Sequence, residues 1–367
     1  MKRYRLIQYG AGNTGKFVLR SLLTHPQIEL VGLGVHSTRH EGKDAGDICR
    51  LESTGIRATR NINALIASEA DCVCFMPTDP HAGDVLDAGS HASSLFQLLC
   101  RFLVSGKNVI ATAPNSLIYA HALAPEVVAR LESACHAGGV SFLYVGVSPG
   151  FMPDRLVLNL TAVCTRIDSI SVREIMNYGA YNDREMLFNF YGFGKRPEEF
   201  DRNALEQAFS RTLGGSVGMI ADGLACKLSE IRTTVESATT GESVEIATGR
   251  IEVGSIAAQR IRATGIVSGN AKIVVEHITR VSDKAAPQWP RFTDAGHEGY
   301  CIAIHGAPSM NVDLQLGAFG RNPMADAGWA VAGHVANSVA ALCEAEPGIR
   351  SFLDMPSARA AYRLSNS

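Results

Sequence analysis

Short, nearly unbroken apolar runs alternate with stretches of helical periodicity over the first 147 of the chain's 367 residues. Residues 6–9, 28–35, 71–76, 108–112 and 141–145 are such runs, with the length and character of strands in a parallel sheet covered on both faces. Between them, Val18/Leu22 and Leu19/Leu23 recur at helical spacing. Further helices are predicted over 95–103, stopped by Gly106, and 125–137, stopped by Gly138-Gly139. Strand-helix alternation of this kind predicts a doubly wound parallel sheet of the α/β class.

From Val147 the texture changes. A Pro/Gly-punctuated hinge at 147–154 leads into a helix over 156–164. Strands follow at 167–176, 243–248, 265–267, 271–281 and 300–306, with helices at 203–212 and 217–228 between them. Mostly sequential strands with few crossovers predict an α+β domain on a mixed or antiparallel sheet, a usual platform for substrate binding and dimer contacts. An alanine-rich helix over 327–344 comes last. The predicted organisation is therefore residues 1–147, residues 148–326, and a tail of 327–367 returning to the first domain.

Length and charge narrow the function classes. A chain this long has room for two full cores. With 34 basic against 36 acidic residues and a net charge of −2, neither nucleic acid nor an anionic membrane is the expected partner. No apolar run reaches the length of a membrane span, and Met1-Lys2-Arg3 leads straight into the first strand, which points to the cytoplasm. The nine cysteines are scattered, and Cys72 and Cys74 are two apart within a strand, so free thiols and no metal site are expected.

The chemistry begins at the first turn. Gly10-x-Gly12-x-x-Gly15 sits where the first strand meets the first helix. There Gly10 permits the turn, Gly12 admits a pyrophosphate to the backbone and Gly15 lets helix and strand pack closely. Asn13 and Thr14 open the helix, whose N–H groups favour phosphate. This is the pattern of a Rossmann dinucleotide site. Phe17 stands where a Walker loop needs Ser or Thr, which disfavours the nucleoside-triphosphate alternative. After the second strand comes His36-Ser37-Thr38-Arg39-His40, with no carboxylate for a ribose 2′-hydroxyl. Ser37 and Arg39 favour NADP, with NAD open. Pro77-Thr78 leaves the 71–76 strand at the edge where a nicotinamide ribose lies.

Several phrases then coincide: Gly10-Ala11-Gly12-Asn13-Thr14-Gly15, Val35-His36-Ser37 with Asp44-Ala45-Gly46, Gly106-Lys107-Asn108-Val109-Ile110, and Val147-Ser148-Pro149-Gly150-Phe151-Met152-Pro153-Asp154. Gly333-His334-Val335-Ala336-Asn337-Ser338 and Glu346-Pro347-Gly348-Ile349 complete the set. Together they resemble the dihydrodipicolinate-reductase-like NAD(P)H-dependent amine dehydrogenases, the group that includes 2,4-diaminopentanoate dehydrogenase. The resemblance implies an N-terminal Rossmann domain, a C-terminal substrate and dimerisation domain, a homodimer, and hydride exchange between a nicotinamide and an amine/imine carbon. It also implies a glutamate just after the Asn108-Val109-Ile110 strand, binding the amine or moving its proton. Here that position reads Ala113-Pro114-Asn115.

An amide can hydrogen-bond a carbonyl or imine but cannot take a proton from ammonium. Asn115 and Tyr178 are the candidate catalytic residues, acting on a small-molecule ketone, imine or amine. Tyr178 belongs to an aromatic segment with Tyr181, Phe188, Phe190, Tyr191 and Phe193, read either as a pocket wall or as ordinary core. His305 and His334 are candidate proton relays. Gly146-x-Ser148-x-Gly150 matches a hydrolase elbow in letters, but Pro149 has no N–H for an oxyanion hole. Two other functions stay open: a carbonyl or imine reductase without amine dehydrogenation, and a cofactor-bound sensor without turnover.

Overall fold

The computed structural model describes residues 2–77, 94–292, 298–318 and 322–361. The chain divides into two compact units, Met1–Gly150 with Asp326–Ser367, and Phe151–Ala325.

The first unit opens with β1 (Tyr4–Tyr9), α1 (Asn13–Thr24), β2 (Ile28–Gly34), the short α2 (Ala45–Cys49), β3 (Ala58–Thr59) and α3 (Ile62–Ala67). It continues through β4 (Cys72–Phe75), α4 (Ser94–Val104), β5 (Asn108–Ala111), a 3-10 turn (Asn115–Ala122), α5 (Pro125–Gly138) and β6 (Ser141–Tyr144). β4 is buried at all four positions, as a strand covered on both faces must be. Pro125 starts α5, and Gly139 ends it in the left-handed conformation. Asp44 caps α2, and N–H groups of Thr54, Gly46 and Gly55 hold its carboxyl down to about 2 against the effect of burial.

The second unit contains α6 (Arg155–Thr161), β7 (Arg166–Asn177), a π-helical turn (Glu185–Phe190), α7 (Arg202–Gly223), β8 (Glu230–Thr239), β9 (Val244–Ile246) and β10 (Gly249–Ile251). β11 (Ile256–Val267), β12 (Asn270–Arg280), β13 (Gly299–Ala307) and β14 (Met310–Leu314) follow. The chain then forms α8 (Pro323–Cys343) and β15 (Gly348–Arg350).

Seven parallel strands make the first sheet, in the order β15-β6-β5-β4-β1-β2-β3. Strand order reverses between β1 and β4, the switch point where doubly wound sheets bind ligands. The second sheet is six-stranded and mixed, β14-β13-β7-β12-β11-β8, with β7 and β12 its parallel pair. Its core face packs Val172, Val235, Ile261, Ile273 and Ile302 with Leu213, Val217 and Ile220 of α7.

Three expectations need correction. The helices predicted over 203–212 and 217–228 are one helix, α7: Gly214 and Gly215 look like a break, yet both are buried within it. Packing against the sheet outweighs glycine's poor propensity. The strand predicted over 265–267 runs from Ile256, and β8 carried no clear signal because half of an exposed strand is polar. The strand predicted over 243–248 is β9, turning into β10.

Candidate active site

The glycine turn is built for close approach. Gly10 has φ +109°, and a Cβ there would run into the Met76 carbonyl oxygen. A Cβ on Gly15 would stand 2.8 Å from the Gly10 carbonyl oxygen. Gly12 caps α1 with no side-chain cap, and no acidic residue occupies the first turn. Exposed Gly12, Asn13 and Thr14 therefore present the positive end of the helix to solvent. One residue that sequence reading missed holds this loop. Gln8, fully buried in β1, donates from Nε2 to the carbonyls of Gly10 at 2.7 Å and Gly15 at 2.8 Å, tying both ends of the turn to the strand. Its signal was a lone amide inside an apolar strand, two residues before the first glycine. With close-fitting backbone and no acidic residue in the first turn of α1, these residues fit a dinucleotide diphosphate.

Past β2, His36, Ser37 and Arg39 are exposed, and the Ser37 hydroxyl accepts the Arg39 N–H at 3.1 Å. His40 reports the local field: burial lowers its pKa, and Lys16, Arg39 and Lys43 lower it further. Three cations thus gather at the glycine turn and the adjoining loop, with Lys16 contributed by α1. Pro77 is buried after β4, and Thr78 lies outside the described residues.

Asn115 begins the 3-10 turn after β5 and is exposed. Tyr144 at the end of β6 donates its hydroxyl to Asn115 Oδ1 at 2.9 Å. The tyrosine therefore orients the amide and leaves Nδ2 as its outward donor.

In the second unit, strand register collects a polar network. Glu174 of β7 lies opposite His277 of β12 and Tyr300 of β13. Tyr300 donates to Glu174 Oε1 at 2.9 Å, His277 Nδ1 stands 2.7 Å from Glu174 Oε2, and Tyr191 Oη stands 3.2 Å from His277 Nε2. The Tyr178 ring packs against that of Tyr191, with centroids 5.6 Å apart. Burial pushes the Tyr178, Tyr191 and Tyr300 hydroxyls up, and the charge of Glu174 adds to this. Of the aromatic segment, Tyr191 and Phe193 are buried core, while Tyr178, Tyr181, Phe188 and Phe190 are partly exposed and pack against it. Asn115 and Tyr178 belong to different units.

At the end of β7, Glu298 accepts the Asn177 N–H at 3.0 Å beside a small cavity lined by Met176, Arg280, Asp283, Arg291 and Phe292. Burial, together with Asp283 and Glu174, pushes its carboxyl up to about 7 against the Asn177 hydrogen bond. The two histidines singled out earlier differ. His305 is exposed on β13, whereas His334 is buried in α8 with Nδ1 2.8 Å from the Gly146 carbonyl oxygen. Among the described residues no His, Cys, Asp and Glu side chains cluster as a metal site, and no helix is long and apolar enough to cross a membrane.

Residues 151–366 match the family model of the 2,4-diaminopentanoate dehydrogenase C-terminal domain. An amine dehydrogenase of Streptomyces virginiae is 30% identical over 361 residues, covering 98% of each chain. The 2,4-diaminopentanoate dehydrogenase of Acetoanaerobium sticklandii is 24% identical over 370 residues, covering 98% of this chain and 95% of its own. In structure, the amine dehydrogenase of Mycobacterium smegmatis superimposes with a TM-score of 0.76 at 18% identity, over 98% of this chain and 97% of its own.

Proposed function

Because this chain belongs to the amine dehydrogenase family typified by 2,4-diaminopentanoate dehydrogenase, we propose that it exchanges hydride between a nicotinamide cofactor and an amine/imine carbon. In one direction this is reductive amination of a ketone or aldehyde. The observation that carries the reading is the Gln8-braced glycine turn at the sheet's switch point. The bound cofactor supplies or accepts hydride at nicotinamide C4. Binding and orientation fall to the chain. Gly10, Gly12, Asn13, Thr14 and Gly15 hold the diphosphate, and Pro77 borders the nicotinamide ribose. The cations at the turn and the His36-Ser37-Arg39 loop support NADP over NAD, since a 2′-phosphate meets positive charge and no carboxylate.

Asn115 donates through Nδ2 to a substrate carbonyl, and the Tyr178 hydroxyl serves the proton steps. A homodimer remains the expected working form, to be checked by sedimentation. The test follows NADPH oxidation with a panel of ketones, with and without ammonia. Ammonia-dependent turnover is expected. Ammonia-independent turnover supports a second reading, a carbonyl reductase, which the amide at position 115 favours over a carboxylate. Tight NADPH binding without any turnover would leave a sensor.

A further inference from the structure

The network of the second unit extends this reading and rests on it. Glu174 accepts at His277 Nδ1, so the imidazole keeps its proton there and presents a lone pair at Nε2. The Tyr191 hydroxyl then donates to Nε2, and the Tyr178 ring packs against Tyr191 and His277 with centroids 5.6 and 6.1 Å away. The row therefore runs from Tyr178 at its outer end through Tyr191 to His277. Tyr191 and His277 are buried, whereas Tyr178 keeps partial exposure. The segment after β5, Thr112-Ala113-Pro114-Asn115-Ser116, holds no group able to take a proton from ammonium.

We propose that Tyr178, Tyr191 and His277 form a proton relay that takes the proton from a substrate ammonium group, with Glu174 as the positioning residue that steadies the resulting imidazolium. One N–H bond of the ammonium breaks as its proton passes to the Tyr178 oxygen. The Tyr178 proton moves to Tyr191 and the Tyr191 proton to His277 Nε2. What remains is a neutral amine, two intact phenols, and an imidazolium beside a carboxylate, with no electron moved. In the reductive direction the same proton returns to the new amine. The raised phenol pKa values agree with this, since both tyrosines pass protons without resting as phenolates.

The groups that face His277 are Glu174 from β7, Tyr191 and Tyr178 from the segment after it, Ile261 from β11 and the Phe209 ring from α7. Tyr300 and Glu298 lie beyond Glu174. Tyr191→Phe is expected to lower kcat for amine oxidation by about 100-fold, leaving the amine KM and cofactor affinity near wild type. In Glu174→Gln, which removes the charge but keeps the shape, kcat for amine oxidation is expected to fall by about 10-fold with the amine KM near wild type, because the cation formed in the step loses its carboxylate partner. Nitrogen NMR of the imidazole, which needs no turnover, should show the Nδ1–H tautomer of His277 at pH 7. An Nε2–H tautomer, or an unchanged kcat in folded Tyr191→Phe together with an unchanged kcat in Glu174→Gln, overturns the relay while leaving amine turnover standing. Wild-type protein inert toward every amine overturns the functional reading and the relay with it.

Discussion

Replacing Gln8 with leucine tests the brace under the glycine turn. The substitution roughly keeps volume but removes both donors to the Gly10 and Gly15 carbonyls. Each of the two carbonyls left short of a donor in the interior costs about 1.5 kcal/mol, toward the low end of the usual range. Against this, Gln8 Oε1 is itself buried with no partner among the described residues, and its removal returns about 1 kcal/mol. The net expectation is a loss of about 2 kcal/mol, read as a Tm lower by about 4–8 °C for a unit of this size. A looser turn also presents the N–H groups of α1 less well, so Kd should rise by about 5- to 10-fold, and equally for NADPH and NADH, since both carry the same diphosphate. Calorimetric titration with each reduced cofactor and a thermal melt supply both numbers. Unchanged melting with unchanged affinity, or a loss confined to one cofactor, would refute the assignment of Gln8 to the diphosphate turn.

Arg39→Ala should behave differently, weakening NADPH by about 10-fold or more while sparing NADH, because one cation beside a doubly charged phosphate near solvent contributes about 1–2 kcal/mol. Equal losses in the same titration would count against the 2′-phosphate reading. Glu276 is nearly fully buried among Arg173, Arg260 and Arg262, with hydrogen bonds of 2.6–3.0 Å. Burial pushes its carboxyl up, but those three arginines outweigh burial and hold it below the ordinary glutamate range. Its stabilisation is therefore full above the unfolded-state pKa and lost as pH falls through the folded one. Glu276→Gln is expected to cost about 3 kcal/mol near pH 7 in urea unfolding and progressively less in acid. Glu298 has the opposite sign. With its carboxyl raised to about 7, it is best tolerated in acid and destabilises as pH climbs from the unfolded-state value through 7. Glu298→Gln should therefore raise Tm at pH 8 and leave it unchanged at pH 4, and an equal effect at both would refute the burial argument.

What could be read from the chain, and what could not, follows from the range of the interactions. β1, α1 and the glycine turn depend on neighbours within a dozen residues, so periodicity and three small residues located them closely. α7 was split because Gly214-Gly215 is a local stop signal overridden by a distant sheet. β11 was shortened because Arg260 and Arg262 alternate with the core residues Ile261 and Ala263 and break up the apolar run, both turning to Glu276 on the neighbouring strand. At the candidate site the Glu174–His277 pair was missed for the same reason, whereas Gln8 bonds only its near neighbours Gly10 and Gly15 and was legible as a lone amide in an apolar strand. Glu174 and His277 are about a hundred residues apart, and only strand register makes them neighbours. Tyr178 was singled out from its aromatic surroundings, but the acceptors behind it could not be seen without the pairing of β7 with β12.

The route of the chain through the first unit bears on its synthesis. The outer strand β15, and the part of α8 whose His334 reaches Gly146, come from beyond Ala325. A nascent chain therefore leaves β6, with Phe142 and Leu143, as a bare apolar margin until all of Phe151–Ala325 has emerged. An open strand margin invites pairing with other chains. Ribosome-stalled fragments ending before Gly348 should accordingly be captured by chaperones, and release should coincide with translation of that last strand.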